Sequence, residues 1–154
     1  MIWRSLLVLI GVAGLAIADG GAPAHPVEAE RTEVAVSARL DGAWEAVLAG
    51  EEPILTPTQF AHLNNLAYQS AVIRSCPGYE LDATHFSAGL ANLILGQPRT
   101  LTPEQEEQRK TGVLIAFGTR YGLFIAEGRS NLSTFCAGAA AFRADPGGAP
   151  VYWN

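Results

Sequence analysis

A chain of 154 residues with 49% hydrophobic side chains has enough apolar material to fill the core of one domain. Charged residues amount to only 16%, which excludes a charge-rich disordered chain and a long coiled coil. The net charge of −5, with no cluster of Lys and Arg, excludes a phosphate-gripping surface, so nucleic acid is not an expected partner.

Met1-Ile-Trp-Arg4 is a short positive start, Leu6 to Leu15 is apolar, and Ala16-Ile-Ala18 has the small-x-small form that signal peptidase cuts after. The apolar run is shorter than the roughly 20 residues that span a bilayer. Residues 1–18 are therefore expected to be a signal peptide cleaved after Ala18, which sends a mature chain beginning at Asp19 to the periplasm. An uncleaved anchor is the alternative, and only it would bring the protein to a membrane. No cysteine lies near the cut, so a lipoprotein is excluded. The Ala- and Gly-rich composition, poor in Lys, has a bacterial character.

Residues 19–38 carry Gly20, Gly21, Pro23 and Pro26 without a helical period and are expected to be a flexible leader. From Arg39 to Ala49 a short helix is predicted, capped by Asp41, with Trp44, Val47 and Leu48 on one face and Gly50 as its stop. Thr56-Pro-Thr-Gln59 is a capping box with proline at the first helical position, and Leu55 can staple to Phe60. Phe60, Leu63, Leu66, Ala67, Ser70 and Ile73 then form an inward stripe. Pro77 ends this helix because it pushes Cys76 out of helical backbone. A third helix runs from about Ala83 to Leu95, capped by Asp82, with Phe86, Leu90, Leu93 and Ile94 inward.

The next helix opens with Thr102, Pro103 and Gln105, a second capping box. Its run from Gly112 to Ala126 is apolar in almost every direction around the axis, which predicts the central helix of a small bundle. Gly118-x-x-x-Gly122 inside it is a close-packing signal between helices. Gly128 to Asn131 ends it. A last helix follows from Ser130 or Asn131 to about Arg143, rich in small residues, and Asp145-Pro-Gly-Gly148 breaks it. Residues 39–145 are thus expected to be an all-α domain: an up-down four-helix bundle with a short extra N-terminal helix. Residues 146–154 form a C-terminal tail. The phrase Leu-Thr-Pro-x-Gln occurs at Leu55 and Leu101, but the residues after the two copies do not match, which favours convergent capping over duplication.

Cys76 closes the first long helix and Cys136 lies little more than one turn into the last. In an up-down bundle these two ends share a pole, so a disulfide is expected, as export would favour.

Residue patterns that carry catalysis are missing. His25, His62 and His85 have no second His or Cys three or four positions away, so no metal site is predicted. Cys76 and Cys136 lack the Cys-x-x-Cys spacing of a redox centre or of haem attachment. No serine sits in a Gly-x-Ser-x-Gly turn, and no glycine-rich phosphate loop exists. The acids at Glu51-Glu52 and at Glu104, Glu106 and Glu107 stand at element starts, where they complement the helix dipole. No catalytic residue and no cofactor is expected. Arg120 and Glu127, seven residues apart, are read as a solvated stripe on the central helix; the sharper alternative puts Arg120 in a notch where it binds a partner's carboxylate. Tyr152 and Trp153 either anchor in a partner's pocket or fold back on the bundle.

Ile73-Arg-Ser-Cys-Pro77, then Gly122-Leu-Phe-Ile-Ala-Glu127 leading into Phe135-Cys-Ala137, resembles small exported alphaproteobacterial proteins of unknown function with a single disulfide. The resemblance spans about Thr56 to Arg143. More distantly the pattern is similar to HdeA-type periplasmic chaperones and to periplasmic immunity proteins, and it carries over no residue role. Export, a compact bridged bundle and the absence of a reactive constellation lead to the expectation of a non-catalytic periplasmic protein that binds another protein or serves as an accessory module. The alternatives are an acid- or stress-responsive chaperone and an accessory subunit of a membrane complex held by an uncleaved anchor.

Overall fold

The computed structural model describes residues 38–47, 49, 55–95 and 101–154. The expected signal peptide, residues 1–18, and nearly all of the expected leader lie outside the described residues. Helix α1 covers residues 38–47, α2 Pro57–Ser75, α3 Ala83–Leu95, α4 Pro103–Ser130 and α5 Leu132–Ala144. Among the described residues none of these helices is long and apolar enough to cross a membrane.

The helix starts follow from capping chemistry. Thr56 and Thr102 adopt the same extended backbone, and in each box the threonine hydroxyl accepts from the Gln N–H three residues on while the Gln carboxamide accepts from the threonine N–H. Asp82 accepts from the His85 N–H to start α3, which holds its carboxyl below the usual range. Asn131 ends α4 and caps α5, so one residue makes the corner between them.

Helices α2 and α4 run side by side in the same direction: Asn64 meets Arg120, and one turn on Tyr68 meets Phe124. The shorter α3 and α5 return antiparallel, α3 against the first half of α4 and α5 against the second. This is the up-down bundle. Leu55, Leu63, Leu66, Leu93, Val113 and Tyr152 form one buried cluster, and Ala71, Val72, Cys76, Phe135, Ala139 and Trp153 form the other. Trp44 of α1 packs edge-on against Phe124 at 4.9 Å. Cys76 and Cys136 are bonded, with Cα atoms 5.6 Å apart, as the pole argument predicts.

Two expectations are corrected. The deepest helix is α2, six of whose residues are buried, whereas α4 buries Val113, Arg120 and Gly128 and leaves Leu114 and Ile115 exposed. Helix α4 does touch α2, α3 and α5, but Thr111, Gly118, Thr119 and Gly122 along it are exposed as well. Gly118 and Gly122 pack against nothing among the described residues: a Cβ at either would find open space within 4 Å. The close approaches are made by Gly128, under Phe135, and Gly89, under Tyr152.

Gly89 gives a direct test of this packing. A Cβ there would lie 2.8 Å from the Tyr152 hydroxyl oxygen and 2.9 Å from Cε1. Gly89→Ala is expected to push the ring out and cost about 1–3 kcal/mol, outweighing its helix-propensity gain. A urea midpoint at or above that of the native protein would refute the contact.

Candidate functional site

An apolar groove of ≈ 400 Å³ opens where α2, α3 and α4 meet. Helix α2 contributes Ser70, Ile73 and Arg74, which the i, i+3, i+4 spacing puts on one face. Leu81, from the connection to α3, and Phe86 of α3 form one wall, and Phe117 and Tyr121 of α4 form the opposite one. Phe117 and Tyr121, one turn apart, stack with centroids 6.2 Å apart, and Phe86 meets Phe117 edge-on at 5.9 Å. The Ser70 hydroxyl donates to the Leu66 carbonyl at 2.8 Å. Arg74, in the last turn of α2, is exposed at the rim and is the groove's only cation among the described residues. The groove can therefore take an aliphatic or aromatic group and pair an adjoining carboxylate with Arg74.

From the sequence Phe86 reads only as an inward core residue of α3, and Phe117 and Tyr121 belong to a run that reads as central core. Their one available signal was the pairing of ring residues at i, i+4 in that run.

The residues singled out from the sequence lie elsewhere and are not brought together. Arg120 is 1% exposed, which corrects the solvated stripe. Its guanidinium donates to the Asn64 side-chain oxygen and to the Ala116 carbonyl, and it lies over the Phe60 ring at 5.1 Å. It ties α4 to α2 and is not presented to a partner. Glu127 is exposed at the other end of α4, where desolvation pushes its carboxyl above the ordinary range.

Tyr152 and Trp153 fold back and are buried, which corrects the anchor reading. The tail that carries them is held by main-chain contacts. The Pro150 carbonyl accepts from Asn65 and Gln69 at 2.8 Å each, and the Tyr152 N–H donates to the Gln69 carboxamide oxygen at 2.6 Å. Asp82 N–H donates to the Tyr152 carbonyl and Asn154 N–H to the Glu80 carbonyl, forming a single antiparallel bridge between Leu81 and Trp153. Arg143 reaches the Gly78 and Asn154 carbonyls and stacks on Tyr79. Below this strap, a cavity of ≈ 360 Å³ is lined by Gln59, His62, Asn65 and Pro150 among others.

His62 hydrogen-bonds the Tyr152 hydroxyl, and burial holds its imidazole below the ordinary value. Because its folded pKa is depressed, its contribution to stability is complete above about pH 6.5, the unfolded value, and is lost as pH falls toward the folded one. Glu127 acts with the opposite sign, since a raised carboxyl costs stability as pH rises through its folded value. Lowering the pH from about 7.5 to 5.5 is thus expected to lower the melting temperature, and His62→Phe is expected to flatten that slope. An equal slope in the variant would show that His62 does not carry it.

Among the described residues no group of three His, Cys, Asp or Glu side chains converges as a metal site would require. Comparison with protein-family models, curated proteins and solved structures gives no match.

Proposed function

We propose that the protein is an exported, non-catalytic binding module whose groove holds a segment of another protein that presents an apolar side chain beside a carboxylate. The observation that carries this reading is the groove itself, with aliphatic and aromatic walls open to solvent and Arg74 as its one cation among the described residues. Periplasmic location after loss of residues 1–18 is supported by the N-terminal pattern and by a disulfide of the kind that persists in oxidising compartments. Mass spectrometry of the mature protein is then expected to find Asp19 at its N-terminus; a chain that retains Met1 would instead favour an accessory subunit of a membrane complex.

A photoreactive side chain at Leu81, which is 43% exposed in the groove wall, tests the binding role. It is expected to give a discrete adduct with an envelope protein that is lost on Arg74→Glu and absent when the probe sits at Ala140 on the exposed side of α5. No adduct, or equal adducts from both positions, would overturn the reading. An acid-responsive chaperone role is the second reading, favoured by the His62–Tyr152 contact under the tail. It requires that acid release Tyr152 and expose apolar surface, so binding of a hydrophobic dye that stays flat down to about pH 3 would remove it.

A further inference from the structure

Helix α4 presents a second apolar face, separate from the groove walls Phe117 and Tyr121. Glu107, Thr111, Ile115, Gly118, Gly122 and Arg129 follow one another at intervals of four, four, three, four and seven, and so share one side of the helix. Ile115 is 65% exposed and Leu114 beside it 42%, while Thr111, Gly118 and Gly122 are also exposed. The flanking α3 and α5 have 13 residues each against the 28 of α4 and pack on its other side.

We propose that this face is the contact between two copies of the chain, with their α4 helices crossing antiparallel about a two-fold axis at Gly118. The charge register selects the occupant. Glu107 lies eleven residues before Gly118 and Arg129 eleven after it, each about 16 Å along the helix, on the same side. A two-fold axis at Gly118 therefore sets Glu107 of one copy against Arg129 of the other, twice over. A parallel pairing would instead oppose Glu107 to Glu107 and Arg129 to Arg129, and like charges would resist it. The same axis lays Leu114 opposite the open notch at Gly122 and brings Gly118 against Gly118, where no side chain holds the backbones apart. Between Thr111 and Ala126 the face carries no charge, so closing it desolvates none. Among the described residues Glu107 pairs only with Lys110, at 3.4 Å on an exposed surface, a contact weak enough to be shared. One helix pair is a small interface, and the dimer is correspondingly weak.

Sedimentation of the full disulfide-bonded chain over about 1 to 1,000 μM tests the proposal. The native protein is expected to shift from monomer to dimer within that range, and Ile115→Glu is expected to weaken association at least about tenfold. Glu107→Arg and Arg129→Glu are each expected to weaken it several-fold, and the double reversal to restore it to within about threefold of native. All three positions are exposed, and unchanged circular dichroism confirms folding of the variants. If Ile115→Glu fails to fold, the charge exchange decides alone. A native chain that stays monomeric at the highest concentration, or a double reversal weaker than either single change, would overturn the proposal. Neither outcome touches the groove, which the Leu81 adduct reports separately.

Discussion

Replacing both cysteines, Cys76→Ala with Cys136→Ala, is expected to lower stability by about 4 kcal/mol, the loop-closure entropy restored to an unfolded chain whose bridge spanned 60 residues. The bridge joins the end of α2 to the first turns of α5, so α3 and α4 both lie inside the loop it closes. Reduction therefore frees the unfolded chain over most of the bundle. It costs the native state little beyond the packing of one buried sulfur, since Cys76 is 4% exposed. Set against a total of roughly 5–15 kcal/mol for a domain, the loss is large enough to leave the reduced protein marginal. Urea unfolding checks the size of the effect, and adding reductant to the native protein is expected to reproduce the double variant. A change below about 1 kcal/mol would mean that the unfolded chain is already compact in this region, and the entropic account would fail.

The helix starts and the bridge were legible because their causes are local or topological. Thr56 with Gln59, and Thr102 with Gln105, satisfy each other within a single turn, so the motif and the structure are the same fact. Pairing of Cys76 with Cys136 needed only the order and direction of the helices. The depth of α2 was hidden by its own polar residues. Gln69 is fully buried and Asn64 and Asn65 also turn inward, so the helix shows little amphipathic contrast. Their partners, Pro150, Tyr152 and Arg120, lie 56 to 85 residues away, beyond what a sequence window reads. Helix α4 misled in the opposite way. Its apolar run looked surrounded, but glycines and an exposed Ile115 fill the side that faces away from α2. Arg120 broke that run and so looked solvent-bound, when it is the residue that joins the two helices. The groove escaped notice because its walls come from three helices, none of which is unusual alone.

Trp153→Ala is expected to cost about 3–5 kcal/mol, the range for removing a buried aromatic. Trp153 is 5% exposed, packs edge-on against Tyr79 at 4.8 Å and Phe142 at 5.6 Å, and belongs to the same cluster as Cys76. Its loss also unseats the strap, since the Leu81 bridge and the Asn154 contact depend on the position of that residue. The indole Nε1 is buried and finds no hydrogen-bond partner among the described residues. An unsatisfied donor of this kind costs about 1–3 kcal/mol, so Trp153→Phe gives up ring area but removes that penalty and is expected to stay within about 1 kcal/mol of native. Equal losses for Phe and Ala would show that the indole nitrogen does bond something and that the ring's size is not what matters. Combined with the cysteine replacement, Trp153→Ala is expected to cost less than the two losses added. Both lesions open one cluster at the α2–α5 pole, and once the bridge is gone the pocket that the indole fills is already looser.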